Sequence, residues 1–199
     1  MNYRIKLLST AILALLIGAG AALAQTPQTH DEFVQAGKDA VAKGDYKAAA
    51  DWYSKAIKVR PGNYDVIFAR AGAYSLFGKY DLAIKDMDTV IGVYPQNVIA
   101  LHFRGSLYNG KKDYKKGFLD GEAILKIDPN SANGYQVRGM AYAGQKKYKE
   151  AEADLTEAIR LNPRDFLNYV YRGAIYEEQG MAGKSQADKL KAEQLKSGK

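Results

Sequence analysis

The chain has 199 residues, with 29 Lys and Arg against 22 Asp and Glu for a net charge of +7, and it has no cysteine. Without cysteine it can hold neither a disulfide framework nor a thiolate metal site. Its two histidines, His30 and His102, stand far apart, and no Gly-rich phosphate loop, metal-ligand spacing or G-x-S-x-G motif occurs, so the sequence reads as a non-enzyme that needs no cofactor or metal.

The first 24 residues differ in kind from the rest. Arg4 and Lys6 give a positive start, Leu7 to Ile17 is an apolar run broken only by Ser9 and Thr10, and Ala22-Leu23-Ala24 presents a cleavage site for a signal peptidase. This is the layout of a secretory signal peptide. The rival is a retained anchor: Leu7 to Ala24 just reaches across a bilayer, although its second half is weakly apolar Gly and Ala. Cleavage after Ala24 is the expectation. The mature chain then starts at Gln25, loses Arg4 and Lys6 so that the net charge falls from +7 to +5, and has no stable membrane span. The periplasm or the exterior is its expected place, and nucleic acid is not an expected partner despite the basic charge. Residues 25–29 read as a short polar linker.

From residue 30 onward the chain repeats. Pro61, Pro95, Pro129 and Pro163 stand 34 apart, as do Ala71, Gly105, Gly139 and Gly173, the tyrosines 74, 108, 142 and 176, and the tyrosines 46, 80, 114 and 148. Five copies (30–63, 64–97, 98–131, 132–165 and 166–199) follow without insertion, the signature of a stacked-repeat array. Each copy predicts two helices. The expected pairs are Asp31–Lys43 with Tyr46–Val59, Asp65–Phe77 with Tyr80–Val93, Ile99–Gly110 with Tyr114–Ile127, Asn133–Gln145 with Tyr148–Leu161, and Leu167–Gln179 with Ala182–Leu195. Asn63, Asn97, Ser131 and Asp165 stand where an N-cap is wanted, and the prolines stop the preceding helices. Gly44, Gly78 and Gly180 mark the turn inside three copies; the other two have Lys112 and Lys146 there, so their turns are expected to differ.

Small residues such as Gly139, Ala151 and Ala158 let helix backbones approach. Repeat three departs with Gly117 and Gly121 inside its second helix, each a loss of about 1 kcal/mol relative to Ala. Drift compensated by Ile124 and Phe118 accounts for them; a hinge or a partner contact is the alternative. The last helix, with Lys184, Lys189, Lys191 and Lys196, reads as the polar cap of the array.

One column is charged. Arg70, Arg104, Arg138 and Arg172 are matched sixteen residues later by Asp86, Asp120, Asp154 and Asp188, while repeat one has Ala36 and Trp52 in these places. Pairing within each repeat leaves no charge orphaned, so structural ion pairs are expected, with a ladder of arginines for an acidic ligand as the alternative.

The marked positions Gly139, Tyr142, Ala151, Leu155, Ala158 and Pro163 resemble the tetratricopeptide repeat, and the resemblance covers residues 30–199. It implies an all-α solenoid of helix–turn–helix units in a right-handed superhelical array, and a scaffold that binds other proteins through a concave face built from first helices. The inward candidates are Phe68, Ile99, His102, Phe103, Gln136, Met140, Leu167 and Tyr171, an apolar groove for a peptide or helix with apolar anchors. The family's carboxylate clamp of Lys, Arg and Asn is not found at its places. A second reading is a structural module that self-associates, or that meets anionic membrane through the basic turns around Lys111, Lys112, Lys115, Lys116, Lys146, Lys147 and Lys149.

Overall fold

The computed structural model describes residues 28–198; the expected signal peptide and most of the linker lie outside the described residues. Among the described residues the chain is an all-α solenoid of ten helices, two to each repeat: α1 (His30–Ala42), α2 (Tyr46–Val59), α3 (Tyr64–Leu76), α4 (Tyr80–Val93), α5 (Val98–Gly110), α6 (Tyr114–Ile127), α7 (Ala132–Gly144), α8 (Tyr148–Leu161), α9 (Phe166–Glu178) and α10 (Ala182–Lys196). None of these helices is long and apolar enough to cross a membrane.

The first helix of every repeat starts one residue earlier than the sequence suggests, because the capping residue sits directly against the first turn. Thr29 and Glu32 form a reciprocal capping box on α1. The side chains of Asn63, Asn97 and Asp165 accept backbone N–H bonds at the starts of α3, α5 and α9. Ser131 departs from expectation: it precedes α7 but makes no side-chain cap.

The inner turns correct a second expectation. Gly44, Gly78 and Gly180 have φ near +73°, and Lys112 and Lys146 adopt the same left-handed conformation at φ 64° and 61°. The same pair of backbone bonds closes the turn in each case, as in Gly78 N–H to Ser75 O and Lys146 N–H to Ala143 O. These backbone bonds hold the lysine turns in the shape the glycine turns adopt freely.

The core is a run of small and medium side chains between layers. Ala49, Ala56, Ala83, Ala151, Ala158, Met87, Val90, Ile124 and Leu155 are wholly buried. The repeat-three glycines belong to this packing, which overturns the reading of drift. A Cβ on Gly117 would stand 2.1 Å from Asn109 Oδ1, and one on Gly121 would stand 2.9 Å from the backbone nitrogen of Arg138. They are neither hinges nor decay; they admit a buried Asn109 and the α7 backbone. Helix α10 buries Ser185, Asp188 and Ala192 and exposes most of the rest.

The arginines tie the layers together. Nε and Nη2 of each donate to both carboxylate oxygens of the aspartate in the same repeat: Arg70 to Asp86 at 2.9 and 2.6 Å, Arg104 to Asp120 at 2.9 and 2.6 Å, Arg138 to Asp154 at 2.8 and 2.9 Å, Arg172 to Asp188 at 2.8 and 2.8 Å. The remaining Nη1 reaches back to the preceding repeat. Its acceptors are Ser54 Oγ (3.1 Å), Asp88 Oδ1 (2.7 Å), Glu122 Oε1 and Thr156 Oγ1 (3.1 Å). This acceptor column, also spaced by 34, is not apparent from sequence because Ser, Asp, Glu and Thr share only an oxygen. Each planar guanidinium thus joins three helices from two repeats. The ladder stops at both ends: Ala36 brings no guanidinium, and Leu190 stands where the next acceptor would be.

Candidate functional site

The eight residues expected to line an apolar groove do not form one strip. Ile99 and Leu167 are exposed, near the starts of α5 and α9. Phe68 and Phe103 are half-buried and pack on the core around Ile67, Met87 and Leu107. His102 and Gln136 are polar members of a chain: His102 Nε2 and Gln136 Oε1 are 2.9 Å apart, and Gln136 Nε2 donates to Asp165 Oδ2 at 2.9 Å and to Asn168 Oδ1 at 2.8 Å. Gln136 is buried, so its placement in the groove is corrected. The cause is the close approach of successive first helices. Side chains one position off the core stripe are drawn between neighbours instead of facing outward.

Met140 and Tyr171, the last two candidates, do meet at a cavity of about 370 Å3. It opens where repeats three, four and five come together. Met140, Ala143 and Gly144 of α7 form one wall, Tyr171, Ala174 and Ile175 of α9 face them, and Tyr148 and Leu155 of α8 close the back. Tyr114, from the start of α6, completes the ring of aromatics. Polar groups are few: Asn109, Lys146 and Glu178. Asn109 holds the α5–α7 junction through Nδ2, which donates to Val137 O at 2.9 Å, while its oxygen lies against Gly117.

Local sequence explains the cavity. A Cβ at Gly144 would fall 2.1 Å from the Tyr114 ring, so only glycine lets that ring lie on α7. Repeats two and five have Leu76 and Glu178 in this column. Gly144 is the signal that could have pointed to Tyr114, which the sequence reading missed along with Tyr148 and Ala174. Tyr171 packs on Ala151, Leu155 and Ile175, and burial pushes its hydroxyl above the ordinary tyrosine range, with the charge of Asp165 adding to the shift.

The other sequence candidates lie elsewhere. His30 is buried; its Nδ1 is 3.1 Å from Ala56 O and its Nε2 is 3.0 Å from Asn63 Nδ2, a tie from α1 to α2 and to the capping residue of α3. Among the basic turns, Lys111 pairs with Asp81 and Lys116 with Asp113. The Lys116 ammonium holds the Asp113 carboxyl below its usual range. No group of three or more His, Asp or Glu that could hold a metal ion occurs among the described residues. The cavity wall is mainly apolar and aromatic, with few polar groups.

Residues 34–83 and 132–165 each match a family described as tetratricopeptide repeat. A 68-residue stretch is 37% identical to the small glutamine-rich tetratricopeptide repeat-containing protein 2 of Saccharomyces cerevisiae; that stretch is 34% of this chain and only 20% of the yeast protein. Among solved structures, a tetratricopeptide repeat protein from Parabacteroides merdae aligns with a TM-score of 0.72 at 24% identity, over 87% of this chain and 68% of that one. A thermophilic tetratricopeptide-repeat protein of Thermus thermophilus gives 0.70 at 19%, over 82% and 90%. MamA of Desulfovibrio magneticus gives 0.67 at 17%, over 87% and 98%. At these identities the structural likeness speaks for the fold. Together with the repeat columns, the paired helices and the two matched stretches, it supports a chain built from tetratricopeptide repeats.

Proposed function

We propose that this protein–protein interaction scaffold grips a peptide or helix of its partner by placing one apolar side chain in the cavity between α7 and α9. The observation that carries the reading is the cavity itself: three repeats supply its walls, and three tyrosines with Met140, Leu155 and Ile175 line it. A concave site with few polar groups suits an aliphatic or aromatic anchor. Ile99 and Leu167, exposed near the starts of the first helices α5 and α9, supply further apolar contact to a segment crossing the face. The place of action on this reading is the cell envelope, reached by export and removal of residues 1–24.

Ala174 is exposed at the cavity mouth, so Ala174→Trp fills the space without disturbing the core. Peptides selected from a random display library on the wild-type protein should share an apolar anchor, and the variant should bind them at least tenfold more weakly with its helical circular dichroism and melting unchanged. Binding that survives the filled cavity would refute the site. Intact-mass measurement of the exported protein tests the location: a chain starting at Gln25 agrees with it, and one retaining Met1 overturns it.

A further inference from the structure

A second cavity, of about 520 Å3, lies beside the first at the inner turns of repeats three and four. Its floor is aromatic: Phe118 and Tyr142 meet edge to face with ring centres 5.3 Å apart. Its rim is basic, with Lys112, Lys115 and Lys147. None of these three has an ion-pair partner among the described residues, whereas nearby Lys111 and Lys116 are neutralised by Asp81 and Asp113. Asp113 is the one carboxylate in the wall, and it is engaged: it caps α6 by accepting from Lys116 N–H, and it pairs with Lys116 Nζ at 3.1 Å. Lys147 keeps its ammonium 5.6 Å from the Tyr142 ring centre, over the floor. The left-handed turn at Lys112 sets one rim residue; the matching turn at Lys146 leads directly into Lys147.

Tyr114 is a wall of both cavities. Its ring, seated on Gly144, stands between an apolar space and a cationic one. We infer that the two form one composite site, and that the partner segment carries a carboxylate side chain two to four residues from its apolar anchor. This rests on the anchor reading of the first cavity and adds the charge. Residues two apart in an extended segment, or three to four apart on a helix, span neighbouring compartments of this kind. Three unpaired ammonium groups around one concavity favour an anion both at encounter and when bound. A membrane surface is the poorer occupant. The cationic space is concave and shares the Tyr114 wall with an apolar cavity, and two of the lysines that would broaden a basic face are already paired.

The test is an array of ten-residue peptides with one fixed Phe or Leu and Asp, Asn or Lys at each flanking position in turn. At low salt the wild-type protein should favour Asp over Asn at least tenfold at positions two to four from the anchor. The triple variant Lys112→Gln, Lys115→Gln, Lys147→Gln should lose that preference and keep the anchor requirement. Anchored peptides that bind alike with Asp, Asn and Lys would overturn the acidic-flank inference and leave the cavity reading standing; an array on which no anchored peptide binds would remove both. Sedimentation with phosphatidylglycerol vesicles that disappears in the triple variant, with no Asp preference on the array, would assign the lysines to a membrane and overturn the inference.

Discussion

Repeats two and three trace the same path with opposite means. In repeat two, α4 fills its inner face with Ala83, Met87 and Val90, all wholly buried. In repeat three the matching positions of α6 are Gly117, Gly121 and Ile124, and the space vacated by side chains is taken by Asn109 and by the backbone of α7. The turn differs as well: Gly78 takes a left-handed φ without strain, while Lys112 is held there. The comparison teaches that the array conserves the spacing of its layers and not the way the spacing is filled. Where glycine replaces a side chain, the next layer moves in, and the junction of repeats three to five holds the two cavities described above.

Substitution by alanine at equivalent positions separates the two modes of packing. Met87→Ala should lower stability by about 3 kcal/mol, because it opens a cavity in a filled layer. Thermal unfolding followed by circular dichroism measures this, and a change under ~1 kcal/mol would mean that the layer collapses freely. The ladder comes next. Asp154→Ala strands the Arg138 guanidinium, which is about one-fifth exposed and keeps Glu122, so the loss should be about 2 kcal/mol, below the ~3–5 kcal/mol of a fully buried pair. An unchanged melting temperature would make the ladder ornamental.

Gly121→Ala should also destabilise, by about 2 kcal/mol, through overpacking against backbone that cannot rotate away. Alanine is then too small at 87 and too large at 121. A neutral or stabilising Gly121→Ala would restore the reading of drift.

Alkaline pH probes the C-terminal end of the array. Burial, and a hydrogen bond donated to Glu152 at 2.8 Å, push the Tyr176 hydroxyl above the ordinary tyrosine range, up to about 12. A raised value means that the folded state holds the proton longer than the unfolded chain. Its stabilising share is therefore complete below about pH 10 and lost as pH rises toward 12. Tyr176→Phe should flatten that part of the stability profile; a profile with the same slope in the variant would place the effect on other tyrosines.

The smallest effect distinguishes the turns. Lys112→Gly should raise stability by about 0.5–1 kcal/mol, and Gly78→Ala should lower it by about as much, since only the first relieves a left-handed side chain. Chemical denaturation of both variants checks the sign, and equal signs would contradict the shared turn geometry.

Much of the fold was legible before any coordinate. The proline columns and the tyrosine columns place ten helices, and four of the five second helices run over the residues expected. The Arg and Asp columns were legible because each position is chemically uniform; their third partner was not, because Ser54, Asp88, Glu122 and Thr156 are uniform only in carrying an oxygen. Of the eight groove candidates, Met140 and Tyr171 line the cavity, and Gln136 lies buried in a polar chain. Facing cannot be read to within one position on a helix that contacts neighbours on both sides.

The sequence by itself determined the period, and with it the number of repeats, the helix pairs and the pairing of charge within each repeat, because these follow from local spacing that each repeat states anew. Only the tertiary structure decided where the array opens. Whether Gly117, Gly121 and Gly144 leave a gap or invite a neighbour depends on how far α6, α7 and α9 approach. That distance is set jointly by side chains more than thirty residues apart, and no single repeat encodes it.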